Sequence, residues 1–243
     1  MIYGKDFSAV YDRHWTDWTD SIWPALRSVV RRRNPKARTW LDLCCGVGRL
    51  LCLAANAGYS VTGVDTSPDQ LRHARRNAPH ARLVRADIRK LALGRQYDVI
   101  TCMFDSINYL PERGAWMSAL RRAARHLAPG GIFIFDVNTA YSHRRYWQRI
   151  NFVRDPHCFV ALDNSYDSRR GEACARITGF RKSGGKWRRF DEMHIQRSWP
   201  DAVLDRMVRD AGLSFRKYGN PPFTQPRRSS GRKFYVCSLR RAR

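Results

Sequence analysis

Three acidic residues near glycine turns or strand ends carry the clearest chemistry in this sequence. Asp42 precedes Gly46 and Gly48 in the run LDLCCGVG. Glycine lets a ligand approach the backbone, because a side chain would hold the ligand away. The third glycine of a dinucleotide fingerprint is missing. An acid beside this turn suits a ligand with an ammonium group, whereas it would repel a pyrophosphate.

The elements around these acids predict a parallel sheet that binds a ligand at one edge. The apolar run 40–43 is typical of a buried strand, and the glycine turn after it opens a helix whose backbone amides face a ligand. A second strand over 60–64 ends in Asp65, 17 positions after the second glycine, where an acid can accept both hydroxyls of a ribose. A third strand over 81–85 is followed by Asp87.

The alternation of strand and helix continues through a fourth strand over 97–104, a helix over 112–127 and a fifth strand over 132–137. The stretch after the fourth strand, from Phe104 to Tyr109, should lie in the crevice where open α/β sheets bind ligands. A helix over 200–211 and two strands, the last one antiparallel, close the chain. These final strands are predicted over 213–218 and 234–239.

Residues 141–199 break this alternation. Turn signals separate three strand-like runs, and the pattern predicts an antiparallel meander inserted after the fifth strand; the runs are 158–166, 172–180 and 187–199. The predicted fold is therefore α/β, with a Rossmann-like doubly wound seven-stranded mostly parallel sheet and an antiparallel β-meander insertion. We expect 1–140 and 200–243 to form one domain, with a helical lid over 1–33, and 141–199 to cover its substrate site.

Composition limits the classes of protein that the chain can represent. Its 243 residues suffice for one α/β domain with a substantial core, and no apolar run is long enough to cross a membrane. No signal peptide is visible, and seven cysteines without C-x-x-C spacing indicate reduced thiols in the cytoplasm and no zinc site. The net charge of +24 would attract polyanions. Only seven of the 45 basic residues are lysine, so an arginine-rich proteome is the alternative explanation.

The run LDLCCGVG resembles the first motif of class I S-adenosylmethionine-dependent methyltransferases, whose commoner form is LDLACGTG. The runs GVDTS and LAPGGIFIFDVNT resemble the same family, and DEMHIQRSW resembles a run of its bacterial small-molecule members. Cys44 and Val47 depart from the motif without changing its size much. The resemblance implies S-adenosylmethionine as cofactor and S-adenosylhomocysteine as product. It also implies that Asp87 binds the adenine amino group while Ile88 packs on the ring.

The predicted site follows from these motifs. The expected cofactor-binding residues are Tyr3, Tyr11, Asp42, Cys44, Gly46, Gly48, Asp65, Thr66, Asp87, Ile88, Met103 and Phe104. The expected substrate-binding residues are Phe104, Asp105, Asn108, Tyr109, Glu192, His194 and Arg197. His194 and Tyr11 are the catalytic candidates. His194 would act as a base only if the acceptor must lose a proton.

The predicted reaction is methyl transfer to an amine or hydroxyl group of a small molecule, because a built-in cover suits a closed pocket. An rRNA or tRNA methyltransferase, or a non-catalytic RNA-binding protein, is the alternative that the charge suggests. We expect a cytoplasmic protein with no membrane partner. The sequence leaves the acceptor atom open, and it does not decide between a monomer and a homodimer.

Overall fold

Two helices open the computed structural model, which describes residues 2–240. They are α1 (Lys5–His14) and α2 (Asp17–Arg33). The predicted lid over 1–33 thus consists largely of two helices, while Met1 lies outside the described residues. The elements that follow are β1 (Thr39–Leu43), α3 (Arg49–Asn56), β2 (Ser60–Asp65), α4 (Pro68–Asn77), β3 (Arg82–Arg85), β4 (Tyr97–Cys102), α5 (Arg113–His126), β5 (Leu127–Asn138), α6 (Ala140–Tyr146), β6 (Ile150–Asp155), β7 (Cys158–Asp167), β8 (Glu172–Ser183), β9 (Lys186–Arg197), α7 (Asp201–Asp210), β10 (Leu213–Tyr218) and β11 (Arg232–Leu239).

The main sheet has seven strands in the order β10-β11-β5-β4-β1-β2-β3. Strands β3, β2, β1, β4 and β5 are parallel, and β11 runs antiparallel to both β5 and β10. This arrangement confirms the predicted α/β, mostly parallel seven-stranded sheet. The carboxyl ends of β1, β2, β3 and β4 therefore meet at one edge, where an open α/β sheet binds its ligand.

Both faces of the main sheet are buried, because successive strand residues point to opposite sides. On β5, Phe133 packs in a cluster with α5 and α7, whereas Ile134 packs in a second cluster with α2 and α3. The first cluster includes Trp116 of α5, and the second includes Leu26 of α2. Helices cover both faces of the sheet, which leaves the carboxyl ends of its strands accessible to a ligand.

Four antiparallel strands, β6 to β9, form a second sheet that we call the roof. The sequence predicted only three of them. Strand β6 escaped prediction because its apolar residues fall on both faces: Ile150 and Phe152 are exposed, whereas Val153 lines a cavity on the other side. The strand therefore lacks the strict alternation of apolar and polar residues by which half-buried strands are recognised.

The roof packs against the first helix. Phe7 and Val10 of α1 form a buried cluster with Val160 of β7 and Ile177 of β8. The lid and the roof thus form one apolar unit over the edge of the main sheet. Within residues 2–240, no helix combines the length and the apolar character that a bilayer crossing requires.

Candidate active site

A cavity of about 300 Å³ lies at the carboxyl ends of β1, β2 and β3. We call it the strand-end cavity. Eight of the predicted cofactor-binding residues line it: Tyr3, Tyr11, Cys44, Gly46, Asp65, Thr66, Asp87 and Ile88. A side pocket of about 50 Å³ continues from Gly46 to three more of them, Asp42, Met103 and Phe104. The fold therefore gathers at one place residues that are dispersed over the first hundred positions.

The glycine turn and Asp65 are joined by hydrogen bonds. The backbone N–H of Gly46 donates to Oδ2 of Asp65 at 2.9 Å, and the N–H of Ser67 donates to Oδ1 at 2.9 Å. Burial raises the pKa of Asp65, and these backbone donors oppose that effect. Gly46 has a φ of +54°, a conformation that side chains rarely adopt. The carboxylate is thus fixed at the mouth of the turn.

Gly48, which was predicted to bind the cofactor, has a packing constraint of its own. It lines neither the strand-end cavity nor its side pocket. Its φ is +81°, and a Cβ at this position would lie 2.9 Å from the Cα of Ala74 in α4. The absent side chain allows two helices to approach each other, so Gly48 shapes the turn.

Asp42 is a buried acid without a positive partner. Its Oδ1 accepts a hydrogen bond of 2.7 Å from Oγ1 of Thr101 on the neighbouring strand. No Lys, Arg or His side chain pairs with it within residues 2–240. Burial raises the pKa of Asp42 to about 7, and Thr101 only partly opposes this. A ligand that brings a positive charge would complete this site.

Asp87 and Ile88, which are adjacent in sequence, both line the strand-end cavity. Its carboxylate pairs with the guanidinium of Arg89 at 2.5 Å and accepts the backbone N–H of Arg89 at 2.8 Å. The hydrogen bonds from Arg89 lower the pKa of Asp87, so it is ionised near neutral pH. Ile88 is buried and offers an apolar wall beside this acid.

A larger cavity of about 440 Å³ lies beneath the roof, and we call it the roof cavity. Four predicted substrate-binding residues line it: Phe104, Asp105, Tyr109 and His194. Tyr3, Tyr11 and Tyr109 line both the strand-end cavity and the roof cavity. Tyr11 also lines the side pocket, so it stands where all three spaces meet. These tyrosines therefore lie between the two cavities.

A buried ion cluster forms one wall of the roof cavity. The guanidinium of Arg232 on β11 contacts Asp105 at 2.5 Å and also pairs with Asp136 on β5. It lies over the ring of Trp18, 4.6 Å from the centroid. Gln196 of the roof donates a hydrogen bond to the other oxygen of Asp105. Burial raises the pKa of Asp136 to about 6, although Arg232 opposes this effect.

No local sequence pattern indicates this cluster, since Asp105 and Arg232 are 127 positions apart. The backbone at the end of β4 is unusual as well. Phe104 and Asp105 have φ values of 62° and 49°, both in the left-handed region. Consecutive left-handed residues that are not glycine store strain, which is typical of functional sites. The turn directs Phe104 into the side pocket and both residues into the roof cavity.

His194 is held between two partners. Its Nδ1 lies 3.0 Å from the hydroxyl of Tyr109, and its Nε2 lies 2.8 Å from Oε2 of Glu192. The Glu192 carboxylate also accepts the backbone N–H groups of Tyr3 at 2.7 Å and Gly4 at 2.8 Å. Both ring nitrogens are thus engaged, and the roof is tied to the start of the lid.

Three predicted substrate-binding residues, Glu192, Arg197 and Asn108, do not line the roof cavity. Glu192 instead holds His194 and the start of the lid. Arg197 does not line the roof cavity: its guanidinium pairs with Glu172 at 2.9 Å and covers the ring of Trp199. It follows Gln196 on the strand and so faces the opposite side of the sheet. Asn108 is buried and donates to the carbonyls of Asn138 and Arg197, which makes it a bridge between the main sheet and the roof.

Within residues 2–240, one group of side chains has the types and the spacing that could bind a metal ion. His14, Asp155 and Cys158 bring their ligand atoms within 4.8 Å of one another. They lie at the contact of α1 with the β6–β7 hairpin, outside the strand-end and roof cavities. His14 and Arg13 both bond Asp155, so the group links lid and roof.

Comparisons with known proteins agree with this geometry. Residues 41–131 match the sequence family described as "Methyltransferase domain". A dTDP-3-amino-3,6-dideoxy-alpha-D-glucopyranose N,N-dimethyltransferase of Streptomyces fradiae is 40% identical over 111 residues, which are 46% of this chain and 44% of that protein. The Bacillus subtilis protein YqeM is 26% identical over 249 aligned positions, covering 97% of this chain and 96% of that protein.

The fold comparison extends over nearly the whole chain. A crystal structure of an S-adenosylmethionine-dependent methyltransferase from Clostridium acetobutylicum superposes with a TM-score of 0.82 at 25% identity. It covers 96% of this chain and 97% of that one. These findings confirm the resemblance to class I S-adenosylmethionine-dependent methyltransferases and support S-adenosylmethionine as the cofactor. The match to the Streptomyces fradiae enzyme, however, spans less than half of that enzyme's length.

Proposed function

We propose that the protein transfers a methyl group from S-adenosylmethionine to the amine of a small, sugar-like molecule. The donor would occupy the strand-end cavity and its side pocket. Asp42 would hold its ammonium group, Asp65 its ribose hydroxyls, and Asp87 with Ile88 its adenine. The lone buried charge of Asp42 supports this fit, because a bound cation would remove the cost of keeping that carboxylate ionised.

When bound, S-adenosylmethionine supplies a methyl group on a sulfonium sulfur that leaves as a neutral thioether. The chain's own task is then to align the acceptor and to keep water away. Tyr11 is suited to both, since it stands at the junction of the three spaces. No acid is needed for the leaving group, so any proton transfer concerns the acceptor alone.

The roof cavity is the observation that carries the choice of acceptor. About 440 Å³ is within the range of small-molecule sites and is closed above by the four-stranded roof. Its polar lining includes the Tyr109 hydroxyl, which can accept a hydrogen bond from a basic nitrogen, whereas the Asp105 carboxylate in the same wall is already paired with Arg232. The Streptomyces fradiae relative is named for dimethylation of an amino sugar nucleotide, which further favours nitrogen. RNA is the second candidate, and only the net charge of +24 supports it.

Methyl transfer from radiolabelled S-adenosylmethionine to paired probes tests this proposal. The first pair is dTDP-3-amino-3,6-dideoxyglucose and its 3-hydroxy counterpart; further pairs replace the nucleotide or the sugar while keeping the amine–hydroxyl contrast. We expect label only in the amines, with one S-adenosylhomocysteine formed per methyl transferred. Label in the hydroxyl compounds, or in total tRNA or rRNA but not in any amine, would overturn the assignment.

A further inference from the structure

We propose that the hydroxyl of Tyr109 is the group that takes a proton from the acceptor's ammonium, and that His194 and Glu192 act behind it as positioning residues and proton store. This inference rests on the proposed amine acceptor. It assigns Tyr109 a catalytic role and places His194 one step away from the substrate.

The three side chains form a continuous hydrogen-bonded chain. The Glu192 carboxylate is 2.8 Å from Nε2 of His194, and Nδ1 of His194 is 3.0 Å from the Tyr109 hydroxyl. His194 is 2% exposed, and neither ring nitrogen is left for a substrate. Tyr109, in contrast, lines both the strand-end cavity and the roof cavity. Its hydroxyl is therefore the end of the chain that an acceptor can meet.

The tautomer of His194 follows from its partners. The Glu192 carboxylate already accepts two backbone N–H groups, from Tyr3 and Gly4. An ionised carboxylate can only accept, so Nε2 of a neutral His194 must carry the ring hydrogen. Nδ1 then presents its lone pair to the hydroxyl of Tyr109. The chain is set to receive a proton from the tyrosine side.

The proton step balances without any further reactant. The N–H bond of the acceptor ammonium breaks and its proton binds the Tyr109 oxygen. The hydrogen that Tyr109 already carries moves to Nδ1 of His194, and the imidazolium formed is stabilised by Glu192. The acceptor nitrogen regains its lone pair and becomes a nucleophile. No electron transfer is involved, and Tyr109 ends as a neutral phenol.

His194 is required because Tyr109 does not stay deprotonated and so cannot act as a base in the phenolate form. Burial raises the pKa of Tyr109 far above its usual range, and the nearby Asp105 carboxylate raises it further. A neutral tyrosine accepts a proton only while it gives one away. The titratable groups that face His194 are Tyr3, Tyr109 and Glu192, and of these only Glu192 can offset the positive charge of an imidazolium.

The same chain depends on the lid. The hydroxyl of Tyr3 is 3.0 Å from that of Tyr109, and the ring of Tyr3 lies 4.8 Å from that of His194. Because Glu192 holds the first turn of the lid through Tyr3 and Gly4, the proton path is complete only when the start of the lid is in place.

Kinetics of three variants test the proton path with dTDP-3-amino-3,6-dideoxyglucose, or whichever amine probe the wild-type enzyme methylates. Tyr109→Phe and His194→Gln should each lower kcat by about 10²–10⁴-fold near neutral pH, the range for loss of general base catalysis, with little change in KM. Glu192→Gln should lower kcat by a smaller factor. Each deficit should shrink above the pKa of the probe amine, which then arrives neutral. Tyr166→Phe is the control, because its hydroxyl bonds Ser198 and it does not line the roof cavity.

A measurement on the free protein makes the test independent of turnover. In ¹⁵N-histidine NMR, with His194 assigned from the His194→Gln spectrum, we expect the tautomer with hydrogen on Nε2 and a shift of Nδ1 in Tyr109→Phe but not in Tyr166→Phe. A doubly protonated His194, or one indifferent to Tyr109, overturns the relay. So does a Tyr109→Phe enzyme with wild-type kcat at every pH. Absence of any amine methylation with the expected NMR result would instead contradict the proposed function.

Discussion

The carboxyl of Asp42 lies 2.7 Å from the Thr101 hydroxyl on the neighbouring strand, and this hydroxyl is its one hydrogen-bond partner within residues 2–240. An acid so buried resists ionisation, and its pKa is raised to about 7. Its folded-state pKa exceeds the ordinary value of 3.8, so the stability it contributes is present below that value and is lost as pH rises through about 7. At neutral pH the folded protein therefore holds a partly ionised carboxylate, and this ionisation lowers the stability of the fold.

The affinity for S-adenosylmethionine should depend on pH, because binding requires the Asp42 carboxyl to be ionised. Below pH 7 the free protein carries a proton on Asp42 that the ligand's ammonium must displace, so affinity should fall by up to about tenfold per pH unit. Calorimetry in two buffers of different ionisation enthalpy should detect proton release near pH 6. In Asp42→Asn the affinity should be lower and this proton release should vanish. Equal proton release in wild type and variant would contradict the role of Asp42.

Gly48→Ala should destabilise the protein without a direct effect on ligand contacts. The left-handed backbone costs a side chain about 1–2 kcal/mol, and the new Cβ would lie 2.9 Å from the Cα of Ala74. We expect the free energy of unfolding in urea to fall by about 2–4 kcal/mol, since overpacking adds to the backbone strain. Gly114→Ala in α5 is the matched control, because nothing lies within 4 Å of its Cβ. Equal stability of the two variants would contradict this role of Gly48.

Arg232→Met should destabilise the protein, because it leaves negative charge without a positive partner near the end of β4. The substitution leaves the carboxylates of Asp105 and Asp136 buried together, which should cost about 3–5 kcal/mol. The loss should be smaller below pH 6, where Asp136 takes up a proton, and larger at pH 8. Thermal unfolding at both pH values measures this. Arg206→Met, whose pairing with Asp210 is mostly exposed, should change little, and a pH-independent loss for Arg232→Met would contradict the pairing.

RNA binding should be weak and indifferent to sequence if the arginine excess is a bias of composition. Contacts between arginine and phosphate release counterions, so such binding fades steeply as salt is added. Filter binding with a tRNA, an rRNA fragment and an unrelated RNA at low and physiological salt decides the question. Tight and selective binding of one RNA at physiological salt would favour the alternative function.

Local patterns were enough to predict the main sheet. The apolar strands, the glycine turn and the acids at strand ends lie within short segments, and each signal depends on neighbours in sequence. Thus Asp65 and Asp87 lie in one cavity as expected. The start of β5 was placed five residues late, because Leu127 pairs with Tyr97 across an irregular stretch that contains Pro129 and two glycines.

Residues that meet only through tertiary structure could not be predicted. Arg232 lies in the last strand, and nothing near it in sequence indicates that it pairs with Asp105 and Asp136. The chain from Tyr109 to His194 joins residues 85 positions apart. The sequence singled out His194 through its strand face, but the orientation of its ring depends on Glu192 and Tyr109 together.

Calorimetric titration of S-adenosylmethionine and NAD into wild type and Asp65→Ala tests the assignment of the strand-end cavity most directly. We expect wild type to bind S-adenosylmethionine and not NAD. Loss of hydrogen bonds from the donor's hydroxyls to the Asp65 carboxylate should weaken binding by about 1.5–3 kcal/mol, while Asp69→Ala, which removes an acid paired with Arg72, should bind normally. Unchanged affinity in a folded Asp65→Ala protein would contradict the role of Asp65, and tighter binding of NAD would contradict the assignment of the cavity itself.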